Sequence, residues 1–416
     1  MSQITDDCFA FGGPLLRADE ALRIIAERTP AVTGQELRAL AEAAGHALAS
    51  DIRARSPSPP HDNAAVDGYA FRGEDLSADS ETVLTVAGRA AAGHPHVEPV
   101  AGGQAVRIFT GAPMPRGADT VVMQEDIRLE GERLIVPPGL KAGANRRKRG
   151  EDITAGRTLL AAGRRIGPAE LALAAAGGLD RLPVHRRASV AVVSTGDEIT
   201  AAGSPLAPGS VYDANAPMLM AMLGRLGVEA RHLGIVRDDR KATLEALAEA
   251  AEADLVITSG GASTGDEDHV RAAVAELGAV HLWRLAVKPG RPLAFGHVRG
   301  TAFVGLPGNP VAVMACFLMF VRPLIDRLEG AAPVPLRRWP VRAGFSATSK
   351  PDRLEWLRGT LSVKGGELVA NRYPKQGSGI VHSLTDSDGL IEIPEEMTAI
   401  AEGDRLGFIS FREALA

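Results

Sequence analysis

The middle third of the chain alternates short apolar runs with amphipathic stretches. "ASVAVVSTGDE" (188–198), "VEARHLGIVRDD" (228–239), "DLVITSGG" (254–261), "HLWRLAVKPG" (281–290) and "TAFVGLPGNP" (301–310) predict strands, each ending in a polar or glycine-rich loop. Between them, "NAPMLMAMLGRLG", "KATLEALAEAAEA" and "DHVRAAVAELG" carry apolar residues three and four apart and predict helices. A long apolar helix is expected from Val311 to Leu328. Strands alternating with helices of these lengths predict an α/β unit with a parallel sheet covered on both faces.

The flanking stretches behave differently. From Ala18 to Ala49, "ADEALRIIAERTP" and "TGQELRALAEAAGHALAS" have helical spacing. The proline-rich break "RARSPSPPHDN" is followed, from Thr82 to Val136, by short alternating segments punctuated by Gly and Pro, which predict a small β-rich unit. "GRTLLAAGRRIGPAELALAAAGGLDRL" returns to helical spacing, so the β unit is expected to interrupt one helical domain. The expected division is 1–55 with 146–185 (helical), 56–145 (inserted β), 186–330 (central α/β) and 331–416 (C-terminal β).

Composition narrows the function classes. A chain of 416 residues, 45% hydrophobic and 23% charged, has enough apolar material for several cores. Its start lacks a basic and an apolar signal region, and it has no run of about 18 apolar residues, so a cytoplasmic protein is expected. A net charge of −5 argues against nucleic acid as a partner, although "NRRKRGED" gathers four basic residues. Cys8 and Cys316 are isolated from each other and imply no thiol chemistry.

In a parallel sheet, ligands bind beyond the carboxyl ends of the strands. There the sequence places Glu198, Asp238, Ser259-Gly260-Gly261 through Asp268, Lys288 to Arg291, and Gly308-Asn309-Pro310. Any one of these loops is explained by a turn or a helix cap; five on one rim suggest a site. "KPGRP" and "GLPGNP" stiffen the backbone while leaving N–H groups free for an anion. Carboxylates at such a site pose a conflict, because each carboxylate–anion pair at ~4 Å repels by roughly 1 kcal/mol in water and about 4 kcal/mol at an intermediate dielectric. A divalent cation resolves it, and Mg²⁺ suits carboxylates and phosphates. No GxxxxGK[ST], GxGxxG, HExxH, GxSxG or paired CxxC occurs.

"DNAAVDGYA", "FTGAPMPRGADTVVMQED", "RRKRGEDI", "VVSTGDE", "VYDAN", "TSGGASTGDEDHV", "LAVKPGRP", "GLPGNPVAV" and "QGSG" occur in this order. Together they resemble the molybdopterin molybdotransferases, the MoeA/gephyrin E-domain family, over nearly the whole chain. The resemblance implies a multidomain α/β homodimer: a central three-layer α/β/α domain with a mostly parallel sheet of the molybdopterin-binding fold, a helical domain with a β-rich insertion, and a C-terminal β-barrel. It implies insertion of molybdenum from molybdate into adenylylated molybdopterin, with release of AMP and Mg²⁺ as cofactor. The molybdopterin adenylyltransferase and the cofactor-accepting enzymes are the implied protein partners.

By that resemblance Asp67, Thr110, Asp152, Glu198, Asp238 and Asp268 are candidate catalytic residues, with Glu198, Asp238 and Asp268 as metal ligands. Ser259, Gly260, Gly261, Arg284, Lys288, Arg291, Gly308, Asn309, Pro310, Arg358 and Ser378 are candidate substrate contacts. The family's cleft lies between subunits, which would let Asp67 and Asp152 face the partner's rim. The chain departs from the common pattern at Arg284, where many members have Lys, and at Ala64, where Ser is frequent. Arg keeps the charge but favours planar bidentate contacts. Competing readings are the adenylyltransferase itself, a gephyrin-like scaffold that binds a peptide, and a generic sugar- or nucleotide-binding α/β protein.

Overall fold

A computed structural model describes residues 4–10, 15–260 and 269–415. Helix α1 (Ala18–Arg28) follows the predicted periodicity and buries Ala21, Ile24 and Ile25 against the central domain. The next predicted helix does not form. Residues Gln35–Ala39 make strand β1 instead. The reason is tertiary: the backbone from Gly45 to Leu48 bonds to Arg164 and Ile166, and β1 pairs antiparallel with Arg181–His185. These bonds between segments far apart in sequence override the propensity of an alanine-rich segment.

The inserted unit is a six-stranded sheet of β2 (Gly68–Phe71), β3 (Thr82–Ala90), β4 (Gln104–Ile108), β5 (Thr120–Met123), β6 (Arg128–Glu130) and β7 (Arg133–Val136), in the order β5-β2-β4-β3-β7-β6. Only β3 and β4 run parallel. Its return contains one helix, α2 (Pro168–Ala176), then β8 (Arg181–His185), the partner of β1. Residues 158–160, expected to be helical, form a short strand with Ile52–Arg53.

The central domain contains β9 (Ser189–Thr195), α3 (Asn215–Arg225), β10 (Glu229–Val236), α4 (Arg240–Ala250), β11 (Leu255–Ser259), α5 (His269–Leu277), β12 (Gly278–Arg284), β13 (Pro292–Val298) and β14 (Thr301–Leu306). The strand order is β10-β9-β11-β14-β13-β12. β10, β9, β11 and β14 are parallel, and β13 runs antiparallel to both of its neighbours. The parallel expectation therefore holds for most of the sheet. The antiparallel strand β13 lies in "RPLAFGHV", a stretch whose Pro and Gly obscure its pattern.

Alternation along the strands builds two cores. Val190, Val192, Leu255, Ile257, Val304 and Leu306 face α1, α3 and the long helix, whereas Ala191, Val193, Val256 and Phe303 face α4 and α5. Each fully buried Val, Leu or Ile contributes roughly 1.5–3 kcal/mol, so these two layers fix the strand register. The long helix forms as expected, with α6 (Pro310–Cys316) and α7 (Arg322–Leu328) joined by a π turn at Phe317–Val321.

The C-terminal unit closes on itself. β15 (Trp339–Ala343), β16 (Leu354–Lys364), β17 (Glu367–Arg372), β18 (Gly389–Ile393) and β19 (Arg405–Ser410) run in the order β16-β17-β15-β19-β18, and β18 pairs back onto β16 to complete a five-stranded barrel. Among the described residues no helix is long and apolar enough to cross a membrane.

Candidate functional site

The carboxyl ends of β9, β11 and β14 stand side by side, and a cleft of about 490 Å³ opens beyond them. Ser194, Thr195, Glu198, Asn215, Ser259, Gly260, Gly308, Asn309 and Pro310 line it, and Gly379 and Val381 close it from the barrel side. The helix that begins at Pro310 is tied to the barrel's loop by a bond from Val311 N to Ser378 O (3.2 Å). The fold thus gathers the expected residues Glu198, Ser259, Gly260, Gly308, Asn309 and Pro310 around one cleft, with Ser378 beside it through its backbone carbonyl.

The floor is held by residues that were not predicted. Asn215 Nδ2 donates to Ser259 Oγ (2.8 Å) and to Gly308 O (2.7 Å), linking the loops after β11 and β14. Because Gly308 O can only accept, the amide orientation is fixed, and Asn215 Oδ1 is buried with no partner among the described residues. Asp213 Oδ1 accepts from Asn215 N and Ala216 N (both 3.0 Å), and its Oδ2 accepts from Ser194 Oγ (2.5 Å). The signal for these residues was "VYDAN", in which an Asp precedes a helix that starts with Asn. Gly260 adopts φ +104°, and a Cβ there would lie 2.9 Å from Thr195 Oγ1. Its conformation and its neighbours both demand glycine.

Acids occupy one end of the rim. Asp197 N donates to Asp238 Oδ2 (3.3 Å) and Asp238 N donates to Asp197 Oδ1 (3.2 Å), joining the loops after β9 and β10. Asp239 caps α4 through Ala242 N (2.8 Å). Glu198 is exposed, and its carboxylate has no hydrogen-bond partner among the described residues. Asp268 and Gly261 lie outside the described residues. Among those described, no three His, Cys, Asp or Glu side chains converge as a metal site.

Cations occupy the other end. Arg284 closes β12 and Arg291 precedes β13, and both are exposed. Asp238 after β10 and Arg284 at the end of β12 are five strand spacings, roughly 24 Å, apart, whereas Glu198 after β9 and Arg291 before β13 are three spacings, roughly 14 Å, apart. Lys288, expected to present its charge to an anion, has another partner: its Nζ lies 2.5 Å from Glu355 Oε1 in the barrel. Glu355 also accepts from Ser349 Oγ (2.9 Å) and Arg353 Nη2 (3.0 Å). Burial pushes its carboxyl up, yet the hydrogen bonds from Lys288 and Ser349 hold it below the ordinary carboxylate range.

Four further expected residues are held by bonds away from the cleft. Arg358 is 1% exposed; its Nε donates to Ser383 Oγ and its Nη2 to Gly377 O, both at 3.1 Å. It therefore shapes the loop that carries Ser378 instead of facing the cleft, and burial pushes its guanidinium pKa down. In the insertion, Asp67 Oδ1 accepts from the N and Oγ1 of Thr110, both at 2.7 Å, which lowers the pKa of Asp67. Asp152 is exposed and its backbone N bonds to Ser58 O (3.0 Å). These bonds join Asp67 to Thr110 and Asp152 to Ser58, and none of them links these residues to the cleft.

The chain matches three family descriptions in order: "MoeA N-terminal region (domain I and II)" over residues 16–178, "Probable molybdopterin binding domain" over 191–327, and "MoeA C-terminal region (domain IV)" over 340–411. It is 35% identical over 410 residues to the molybdopterin molybdenumtransferase of Haemophilus influenzae, covering 96% of this chain and 100% of that one. The Nostoc protein of the same name is 36% identical over 406 residues, covering 94% and 92%. A solved structure of the molybdopterin biosynthesis moeA protein from Pyrococcus horikoshii superposes with a TM-score of 0.80 at 29% identity, covering 95% of this chain and 100% of that one. Motif order, fold and full-length similarity agree: the chain belongs to the MoeA family.

Proposed function

We propose that this protein is a molybdopterin molybdenumtransferase that acts in molybdenum cofactor biosynthesis, inserting molybdenum from molybdate into adenylylated molybdopterin and releasing AMP. The observation that carries the reading, beyond family membership, is the composite rim: a glycine-rich floor fixed by Asn215, with acids at one end and cations at the other. An adenylylated pterin presents a pyrophosphate to the floor, and molybdate is a dianion that the Arg284 and Arg291 end would attract.

Glu198, Asp197 and Asp238 offer only carboxylate oxygens, and Glu198 is unengaged, which fits Mg²⁺ in donor type. Glu198 and Asp238, with Asp268, would hold it. When bound, Mg²⁺ supplies neutralisation of pyrophosphate charge. The protein's own groups do the rest: backbone N–H groups around Ser259, Gly260, Gly308 and Asn309 orient phosphate oxygens, and Arg291 with Arg284 holds molybdate oxygens. Fixed donors of this kind stabilise developing charge without reorganising.

The reading includes a homodimer. Asp67 bonds to Thr110 within the insertion and Asp152 to Ser58, so their contribution would be made to the partner subunit's cleft. It also includes a four-domain division at about residues 55, 145, 185 and 330, a cytoplasmic location, and transfer of product to cofactor-accepting enzymes.

The test is AMP release from adenylylated molybdopterin by the purified chain with molybdate and Mg²⁺. Activity should require all three, and Asp268→Asn should slow it by at least about 10-fold. Unchanged AMP release by Asp268→Asn removes that residue from the mechanism. Adenylylation of free molybdopterin from ATP would favour the adenylyltransferase reading instead.

A further inference from the structure

A second cavity, about 370 Å³, lies at the opposite edge of the central sheet from the rim. Arg187 stands just before β9, Arg225 ends α3, and Arg322 opens the last part of the long helix, all at the amino-terminal edge of the strands. Arg165, from the segment leading into α2, completes a wall of arginines. Ile166, Leu226 and Ile325 give the cavity an apolar side.

The carboxylates there are already engaged. Glu329, 2% exposed, accepts from Ala188 N (2.9 Å), Arg165 Nη1 (2.9 Å) and Arg187 Nη1 (3.5 Å). Asp326 accepts from Arg165 Nη2 (2.5 Å), and Glu170 is held by Arg164 Nη2 (2.6 Å) and Gly167 N (3.0 Å). Among the described residues, Arg225 Nε donates to the carbonyl of Leu415 (3.3 Å). The Arg322 guanidinium has no hydrogen bond or ion pair among the described residues; burial pushes its pKa down, and the attraction of the Asp326 carboxylate offsets this only in part. Arginines thus outnumber carboxylates in a half-buried space, where an unpaired charge is costly. Arg187 is also fixed in place, since it passes Gly45 and Gly227, where a Cβ on either would strike its guanidinium.

We propose that this cavity binds a phosphate monoester, with the phosphate on Arg322 and Arg187 and the organic part against Ile166, Leu226 and Ile325. Arginine forks match phosphate oxygens bidentately, and the anion would add countercharge where Asp326 and Glu329 offset the buried guanidinium groups only in part. The site is separate from the rim and does not depend on the proposed reaction. It would couple ligand occupancy to the junction between the β1–β8 domain and the central domain, because Arg165 and Glu329 lie on either side of that junction.

Phenyl phosphate, titrated calorimetrically at low salt into the full chain, tests the proposal. Wild-type protein should bind it, Arg322→Ala should bind at least about 10-fold more weakly, and the rim variant Arg284→Ala/Arg291→Ala should retain this binding event. Arg322→Gln, which preserves shape, should show the same loss, and phenyl phosphate should raise the melting temperature of wild type but not of either Arg322 variant. Equal affinity in wild type and both Arg322 variants overturns the proposal. So does loss of the only binding event in the rim variant, or the absence of binding at millimolar ligand. An Arg322 change that instead dissociates the protein, with no phosphate binding in wild type, assigns the cavity to a carboxylate of a partner chain and also overturns it.

Discussion

The Lys288–Glu355 pair joins the rim to the barrel, and its energetics can be measured by a double-mutant cycle with Lys288→Met and Glu355→Gln. The contact is 2.5 Å, but its partners differ: the Glu355 side chain is 5% exposed and that of Lys288 48%. Hydrogen bonds to charged groups contribute about 1.5–3 kcal/mol each, and solvent on the lysine side places this one at the lower end. Glu355→Gln also weakens the bond from Arg353 (3.0 Å), so its expected cost is about 3 kcal/mol. Lys288→Met should cost about 2 kcal/mol, and the coupling between the two changes should be about 1.5 kcal/mol. Guanidinium unfolding followed by tryptophan fluorescence is a suitable assay, since Trp356 is 1% exposed and donates to Glu392 Oε2 (3.0 Å) inside the barrel unit. Additivity of the two changes to within ~0.3 kcal/mol would refute the reasoning. The same variants report on function: Glu355→Gln frees the ammonium toward the rim and should lower the half-saturating molybdate concentration.

Gly260→Ala should cost about 1–3 kcal/mol, because φ +104° and the approach to Thr195 both oppose a Cβ; a lower melting temperature with loss of AMP release checks it. Asp254 holds Arg186 with two bonds (2.7 and 2.6 Å) and Ser189 with two more (both 2.8 Å). Burial raises its pKa, but the Arg186 and Ser189 hydrogen bonds outweigh this and leave it below 3.8. A folded value below the unfolded one means stability that is present above about pH 4 and lost as pH falls through the folded value. Asp254→Asn should therefore lower stability at neutral pH and flatten the acid limb of a stability–pH curve. Asp67→Asn should lower the melting temperature only slightly, as its two bonds to Thr110 lie at the surface, yet reduce AMP release by about 10-fold or more; mixing it with a cleft variant such as Glu198→Gln should restore part of the activity if the two act across subunits.

The central domain was legible because each strand and helix there is decided locally: β9, β10, β11 and β14 carry the expected apolar runs, and α3, α4 and the long helix the expected spacing. Residues 33–49 were not, because alanine-rich spacing satisfies a helix while the actual bonds go to Ile166 and the strand at 181–185, far away in sequence. The site was legible as a set of loops but not as a division of labour. Which loop residue faces the cleft depends on contacts such as Asn215 with Gly308, and Lys288 and Arg358 look alike in sequence to free anion-binding cations until Glu355 and Ser383 are seen beside them.

The bond between Val311 and Ser378 has a thermodynamic consequence. The cleft wall contributed by Gly379 and Val381 belongs to the barrel, which reaches the central domain through the proline-rich segment 331–338. A ligand that touches both sides binds only the seated arrangement, so the free energy of occupancy is also free energy of seating. Filling the cleft should then protect the 331–338 segment from proteolysis, and substitutions in that segment should change substrate affinity without touching substrate.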